Sequence, residues 1–237
     1  MKKLLTIVVC DGTQDVNTEN FNENIEITVA EQGNVSQAIK NSKAKFTFVS
    51  DCGISAAETD FFLETLREAN TDMVLASDIC AVKTSVLKDC DLKNADAFTY
   101  NSFGAMNCKT LKRIRCVPFM TEKQKLECTD KTTHNLLCVA DEFKKVKSKL
   151  NKDIYAYVFD TLCDRLVTYY MTAVLAVKDG NLPAEKLIEF DNRLKGEIVL
   201  FLALEKRFTA TKLQKLREKG FKISGLKARK FRKLLNI

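Results

Sequence analysis

Residues 4–9 (LLTIVV) form an unbroken apolar run that stops at Asp11-Gly12-Thr13. A strand buried on both faces reads this way, whereas a strand with one wet face alternates. Two more β-rich runs follow, Ile25–Val29 (IEITV) and 46–49 (FTFV), with a short helical pattern over Val35–Asn41 between them. Ser55-Ala56-Ala57-Glu58 matches a Ser-x-x-Glu capping box. Phe62, Leu63 and Leu66 follow at helical spacing, which predicts a helix ending near Asn70. Met73–Ala76 (MVLA) is the next strand. Strand and helix in alternation predict an α/β fold, a mostly parallel sheet with helices on its faces.

Residues 80–133 read as mixed structure, with one strand candidate at 114–119 (IRCVPF) and Pro118 near its edge. From His134 onward the period is helical. Leu136, Ala140, Phe143 and Leu150 share one face, and Tyr157, Leu162, Leu166, Tyr170, Ala173 and Val177 share another. Asp179-Gly180-Asn181 with Pro183 is a stop followed by a new helix start. Leu187, Leu194, Ile198, Phe201, Leu204 and Phe208 predict a third helix reaching towards Gly220, and 225–237 a short basic amphipathic one. The expected organisation is an α/β domain over 1–120 and a helical C-terminal region over 121–237.

Composition narrows the field further. Eight Gly and two Pro in 237 residues are too few for a turn-rich all-β sandwich. A 46% hydrophobic, 29% charged chain is neither disordered nor collagen-like. The net charge of +7 is unevenly placed: from Glu205 to Ile237 twelve Lys/Arg face only Glu205 and Glu218, a net +10, so the rest of the chain is net −3. Any argument for an acidic partner therefore belongs to the tail. Nine cysteines, with no Cys-x-x-Cys and one histidine, His134, give no paired zinc-ligand pattern and predict reduced, structural thiols. Met1-Lys2-Lys3 and the run behind it begin like a signal peptide, but the apolar stretch is too short and has no small-residue cleavage site. No stretch reaches the length of a membrane span, and the expected location is the cytoplasm.

In a parallel α/β sheet, ligands bind outside the carboxyl ends of the strands. The polar groups there are Asp11-Gly12-Thr13-Gln14-Asp15, Glu31-Gln32-Gly33-Asn34 and Ser50-Asp51-Cys52-Gly53. Their order and spacing resemble the nucleotide-sugar half of the family-2 glycosyltransferases, which have the GT-A fold. TIVVCDGTQD (6–15) resembles the family's strand and Asp-Asp-Gly-Ser-x-Asp turn. GNVSQAIKNSKAKFTFVSD (33–51) resembles its Gly, helix, Asn-Ala-Lys-Gly, strand and Asp-x-Asp stretch, and 53–77 resembles the helix and strand that follow. The likeness covers about a third of the chain.

The resemblance implies transfer of a sugar from a nucleotide-diphosphate sugar to a saccharide or cell-envelope acceptor. Asp11, Gly12, Asp15, Gly33 and Asp51 take the nucleotide-sugar positions. Asp11 would accept a hydrogen bond from the base, and Asp51 would help hold a divalent cation, Mg²⁺ or Mn²⁺, on the diphosphate. From the residues alone, both aspartates serve equally as solvated caps on strand ends. Gly53 replaces the second acid of Asp-x-Asp, which weakens the cation site. Val35-Ser36 replaces the family's usual Arg-Asn pair. The chain matches the family from its second strand, or keeps the first strand and shortens the link to Ile25.

An inverting transferase needs a carboxylate base, and none can be assigned. Asp89, Asp91 and Asp96 are not paired, and Asp141-Glu142 sits in a helical pattern as a solvated face. The alternative function is a catalytically impaired GT-A-like binding or scaffold protein. A phosphatase loop fails because Val9 stands where its aspartyl nucleophile would be. A Cys/His nucleophile would need His134. Tyr155, Tyr157, Tyr169 and Tyr170 fit packing better than sugar stacking. The tail, 225–237, with Leu226, Phe231, Leu234 and Leu235 among its cations, suits peripheral docking on an anionic membrane surface, which would serve transfer to a lipid-linked acceptor. A basic helix packed on the body is the competing reading, and too few aromatics argue against nucleic acid.

Overall fold

In the computed structural model, the described residues are 3–10, 21–30, 34–51, 54–77, 79–90, 92–93, 95–121, 126–208 and 213–236. Along the chain run β1 (Leu5–Val9), β2 (Ile25–Val29), α1 (Val35–Asn41), β3 (Phe46–Ser50), β4 (Ile54–Ala56), α2 (Thr59–Glu68), β5 (Met73–Ala76) and β6 (Ile79–Lys83). Then come α3 (Thr84–Lys88), α4 (Ala97–Met106), β7 (Leu111–Ile114), β8 (Phe119–Thr121), α5 (Asp130–Val146) and α6 (Lys152–Lys178). Last are α7 (Ala184–Leu194), α8 (Ile198–Arg207), α9 (Leu213–Glu218) and α10 (Gly225–Leu235). The chain forms two compact units: Met1–Gln124 with Val146–Tyr155, and Lys125–Lys145 with Ala156–Ile237.

The first unit holds a six-stranded sheet in the order β2-β1-β3-β6-β5-β7. β1 pairs in parallel with β2 and β3, and β5 in parallel with β7. β6 runs antiparallel to both β3 and β5. Hydropathy explains the positions. β1 and β3 are buried at every residue and lie inside the sheet, whereas β2 (IEITV) and β7 (LKRI) have exposed positions and form its edges.

Both faces of the sheet are covered. Leu5, Ile7, Val9, Phe46, Phe48, Val74 and Ala81 point to the side of Phe62, Leu63 and Leu66 on α2. On the other face, α1 packs on β1, α3 and α4 on β3 and β6. Polar atoms there meet partners: Thr6 Oγ1 lies 2.7 Å from Ser42 Oγ, and Thr47 Oγ1 lies 2.9 Å from Thr84 Oγ1. Lys45 Nζ donates to the carbonyls of Leu66, Arg67 and Ala69 at 2.8–3.0 Å, closing the C-terminus of α2 with a cation. Asp72 ties three strand ends together. Its Oδ1 meets Lys83 Nζ at 3.0 Å, and its Oδ2 accepts from the N–H groups of Lys109 (3.0 Å) and Thr110 (3.2 Å).

Several local expectations are corrected here. Residues 79–83 form β6, an antiparallel strand, because Ser77 turns the chain back at φ 52° straight after β5. A reversal that short has no room for the crossover a parallel strand needs. Ser55 does not cap α2: it pairs with Met120 across the β4–β8 ribbon, and the helix starts at Thr59 without a side-chain cap. Backbone pairing with β8 has taken the residues that would have formed the box. The expected strand at 114–119 is split into β7 and β8, since Pro118 cannot donate to a ladder.

The second unit is helical. α6 carries buried Leu162, Leu166, Tyr169, Tyr170 and Ala173. Tyr170 packs against Phe190, Phe208 and Phe221, and Phe208 meets Phe231 of α10 edge-on at 6.0 Å. The tyrosines at 169 and 170 are thus packing residues. α6 stops as expected, with Gly180 at φ 78°. The single helix expected beyond it is instead α7 and α8, broken around Gly196, followed by α9. Glycine is the weakest ordinary helix former, and an apolar period cannot reveal the break.

At the centre of this unit a carboxylate is sealed in. Asp191, with 2% of its side chain exposed, accepts a 2.5 Å bond from the Tyr170 hydroxyl and a bifurcated bond from the single Arg217 Nε–H, 2.9 Å to each carboxylate oxygen. Arg217 also reaches Glu205 at 3.1 Å and stacks 4.0 Å over the Phe201 ring. Burial, and then Asp191, push the Tyr170 hydroxyl well above its ordinary pKa, so it stays a donor.

Candidate functional site

β3 and β5 are both antiparallel to β6, so β1, β2, β3, β5 and β7 deliver their carboxyl ends to one edge of the sheet. The ends are level. Val9 is in register with both Val29 and Ser50. Thr47 pairs with Val82, Val82 with Met73, and Met73 with Leu111, so three residues further on Ser50, Ala76 and Ile114 share one line. Asp51, Ser77 and Arg115 are the next residues out. At strand spacings of about 4.8 Å, β3 and β7 are three places apart, roughly 14 Å.

Of the residues expected to bind nucleotide sugar, Asp51 is described, while Asp11, Gly12, Asp15 and Gly33 lie outside the described residues, as does Gly53. What is described carries the chain to the same edge: Cys10 N–H donates to the Ser50 carbonyl and Ala30 N–H to the Val9 carbonyl, both at 2.8 Å. Asp51 is half-buried at the tip of β3, and its Oδ1 accepts a 2.8 Å bond from the first N–H of α4, that of Ala97. An anionic side chain is favoured at a helix N-terminus. Asp96 completes the cap by accepting from Thr99 N at 2.9 Å. Further along α4, Asn101 Nδ2 donates to the Val49 carbonyl at 2.8 Å, and its buried Oδ1 has no partner among the described residues.

Among the described residues no three His, Cys, Asp or Glu side chains gather as a metal site. Among the described residues at the tips of β1, β2 and β3, the carboxylate is that of Asp51, one of whose oxygens already serves α4. A single carboxylate suits Mg²⁺ only in company with ligand phosphates.

A surface pocket of about 490 Å³ opens on the same edge, beyond β5 and β7. Glu58, Leu75, Ser77, Arg113, Ile114, Arg115, Cys116 and Val117 line it. Its volume falls in the range of small-ligand sites. The start of α2 and the strand end of β7 are held together beside it: Ala57 N–H donates to the Pro118 carbonyl, Glu58 N–H to the Val117 carbonyl, and Val117 N–H to Glu58 Oε2 at 3.4 Å. Burial, and then Glu58, raise the Cys116 thiol above its ordinary pKa, the direction opposite to that of an activated nucleophile. Glu58, Ser77, Arg113 and Arg115 escaped the sequence reading. The signal was present as two arginines two apart beside a strand end, but a single strand over 114–119 conceals it.

Other expected features settle in the helical unit. Asp141 pairs with Arg193 at 3.3 Å and Glu142 with Lys145 at 3.0 Å, so this acidic pair sits in surface ion pairs. His134 Nε2 lies 3.3 Å from Cys138 Sγ, one turn away on α5. Burial and then Asp141 raise that thiol, the opposite of an activated nucleophile. The eight described cysteines are free thiols. Among the described residues no helix is long and apolar enough to cross a membrane.

No protein-family model matches the chain, and no curated protein matches it in sequence. Solved structures do match it. S. aureus TarS 1–349 in complex with UDP-GlcNAc aligns over 98% of this chain and 90% of its own, with TM-score 0.53 and 13% identity. S. aureus TarS 1–349 alone aligns over the same shares, with TM-score 0.52 and 14% identity. The chain has a glycosyltransferase-like fold: a mostly parallel sheet flanked by helices, followed by a helical C-terminal region.

Proposed function

We propose that the chain is a GT-A-type glycosyltransferase that binds a nucleotide-diphosphate sugar at the ends of β1, β2 and β3 and transfers the sugar to a saccharide or cell-envelope acceptor. Asp11, Gly12, Asp15, Gly33 and Asp51 surround the donor, and Asp51 shares a Mg²⁺ or Mn²⁺ ion with its diphosphate. The observation that carries this reading is the level carboxyl edge, which puts the tips of β1, β2 and β3 side by side. It is supported by a fold matched over nearly the whole chain to a structure holding UDP-GlcNAc.

The test is thermal unfolding with UDP or UDP-GlcNAc and Mn²⁺. A ligand at a hundredfold its Kd contributes about 2.7 kcal/mol, a rise of roughly 5–10 °C for a protein of this size. Asp51→Asn keeps an acceptor for the Ala97 N–H and is expected to remove the Mn²⁺-dependent part of that rise. A rise without UDP release in the presence of acceptors would identify the binding-only alternative. No rise with any nucleotide sugar would overturn the reading.

A peripheral membrane role is favoured by the exposed leucines of α10, which are not the full inserting set expected from the sequence. Phe231, expected on the membrane-facing side of the tail, is buried against Phe208, so it cannot insert. Leu226 and Leu234 are exposed, 80% and 52%, on the outer side of α10. They lie among Lys227, Arg229, Lys230 and Lys233, while the neighbouring Arg232 is the α10 cation that pairs with a carboxylate, Asp179, among the described residues. That arrangement fits an anionic lipid surface.

A further inference from the structure

The pocket beyond β5 and β7 has a chemistry of its own. Arg113 and Arg115 are two residues apart across the end of β7, so they leave the strand on the same side, and both line the cavity. Neither guanidinium has an ion-pair partner among the described residues, whereas the arginines of the helical unit at 193, 207, 217 and 232 all do. Ser77 stands at the lip in the left-handed region, φ 52°, a conformation that a serine holds only under local constraint. Glu58, the one carboxylate in the lining, has Oε2 engaged by the Val117 N–H. The cavity therefore combines two planar cationic forks with a serine hydroxyl and a carboxylate.

We propose that this pocket is the acceptor subsite and that it selects an acceptor carrying an oxyanion, a phosphate or carboxylate, beside its hydroxyl groups. Arginine forks match such oxyanions by paired charge-assisted hydrogen bonds. Glu58 is suited to the hydroxyls, and Ser77 lines the wall beside it. The placement separates this site from the donor site. Arg115 is level with Asp51 on the same edge, yet three strands away, roughly 14 Å. That span leaves room for a donor at β1–β3 and an acceptor at β5–β7 on one face of the edge. The inference rests on the transferase reading for the word acceptor, while the oxyanion preference stands on the pocket alone.

The experiment is an NMR titration of the full chain with glucose 6-phosphate, glucuronate and neutral glucose, alongside UDP-GlcNAc with Mn²⁺. The charged probes are expected to shift resonances around Ser77 and residues 113–117, more weakly as salt rises, with glucose at least tenfold weaker. Arg113→Gln and Arg115→Gln should each weaken the charged probes roughly tenfold. Both side chains are exposed, so the melting temperature should stay close to that of the parent, and UDP-GlcNAc binding should be unchanged. Equal binding of glucose, or charged-probe binding that survives the double substitution, overturns the proposal. Loss of UDP-GlcNAc binding in the arginine variants overturns it too, because the arginines would then belong to the donor diphosphate. If UDP-GlcNAc fails to bind the parent while the charged probes do, the transferase reading fails and the oxyanion pocket stands.

Discussion

The two units keep their polar groups in opposite places. In the sheet unit the interior is apolar, with neutral hydroxyl pairs such as Thr6–Ser42 and Thr47–Thr84, and the charged groups are at strand ends. Asp72 gathers three strands at one end, and Asp51 and the arginines stand at the other. In the helical unit a charge is at the centre: Asp191 is sealed among α6, α7 and α9 and answered by Tyr170 and Arg217. Strands are located by backbone pairing, so their side chains need supply only volume. Helices satisfy their own backbones and can slide or rotate, and one buried polar centre gives their packing a fixed point.

The sharpest way to break this comparison is Asp191→Ala. It leaves the Tyr170 hydroxyl without its acceptor and Arg217 with Glu205 alone, and breaking such a buried pair typically costs about 3–5 kcal/mol. Hydrogen exchange should show lost protection in α6, α7 and α9 while β1, β3 and β6 keep theirs. Equal loss in both units would mean that the charged centre is not local to the helices.

The second test concerns the strand-end carboxylate. Burial pushes the Asp72 carboxyl up, but the Lys83 ammonium, the Lys109 N–H and Thr110 outweigh it and hold its pKa below the usual value. A depressed carboxylate contributes stability above its unfolded pKa of about 3.9, and the contribution disappears as pH falls through the folded value. Asp72→Asn should therefore lower stability by about 1–2 kcal/mol at pH 7, and by much less at pH 2. Urea unfolding at the two pH values measures the difference, and an equal loss at both would show that the charge is not what matters.

The smallest expected effect on stability is at the surface of α10. Leu226→Ser with Leu234→Ser should change it by no more than about 0.5 kcal/mol, because Phe231 and Ala228 carry the buried side of that helix. Binding to vesicles containing anionic phosphatidylglycerol should nevertheless fall, and unchanged sedimentation with the vesicles would remove the membrane role.

The central strands were legible because β1 and β3 are mostly apolar, with no alternation of charged residues to mark a wet face, a pattern that favours a position inside the sheet. The helices α5 and α6 were legible from their period. The misses have a common origin in pairing that is not local. Nothing within ICAVK states that it turns back on MVLA, and nothing within Ser55–Glu58 states that β8 is there to claim its backbone. The boundaries at Gly196 and Pro118 were written in the chain but were masked, the first by the apolar period that runs on from Leu194 to Ile198 and the second by Val117 and Phe119. Asp51 was found because a strand end precedes it. Arg113 and Arg115 were not, because a surface arginine acquires meaning only from the cavity that forms beside it.

The buried thiols give the molecule a clock for each half. Burial lifts Cys90 and Cys163 to about 11, and it pushes Cys108 further up. At mild pH these sulfurs are both shielded and protonated, so a thiol reagent reaches them at the rate at which their surroundings open. Cys90 and Cys108 time the sheet unit, and Cys163 times the helices. The order in which they are modified would reveal which half lets go first, with no label added to the protein.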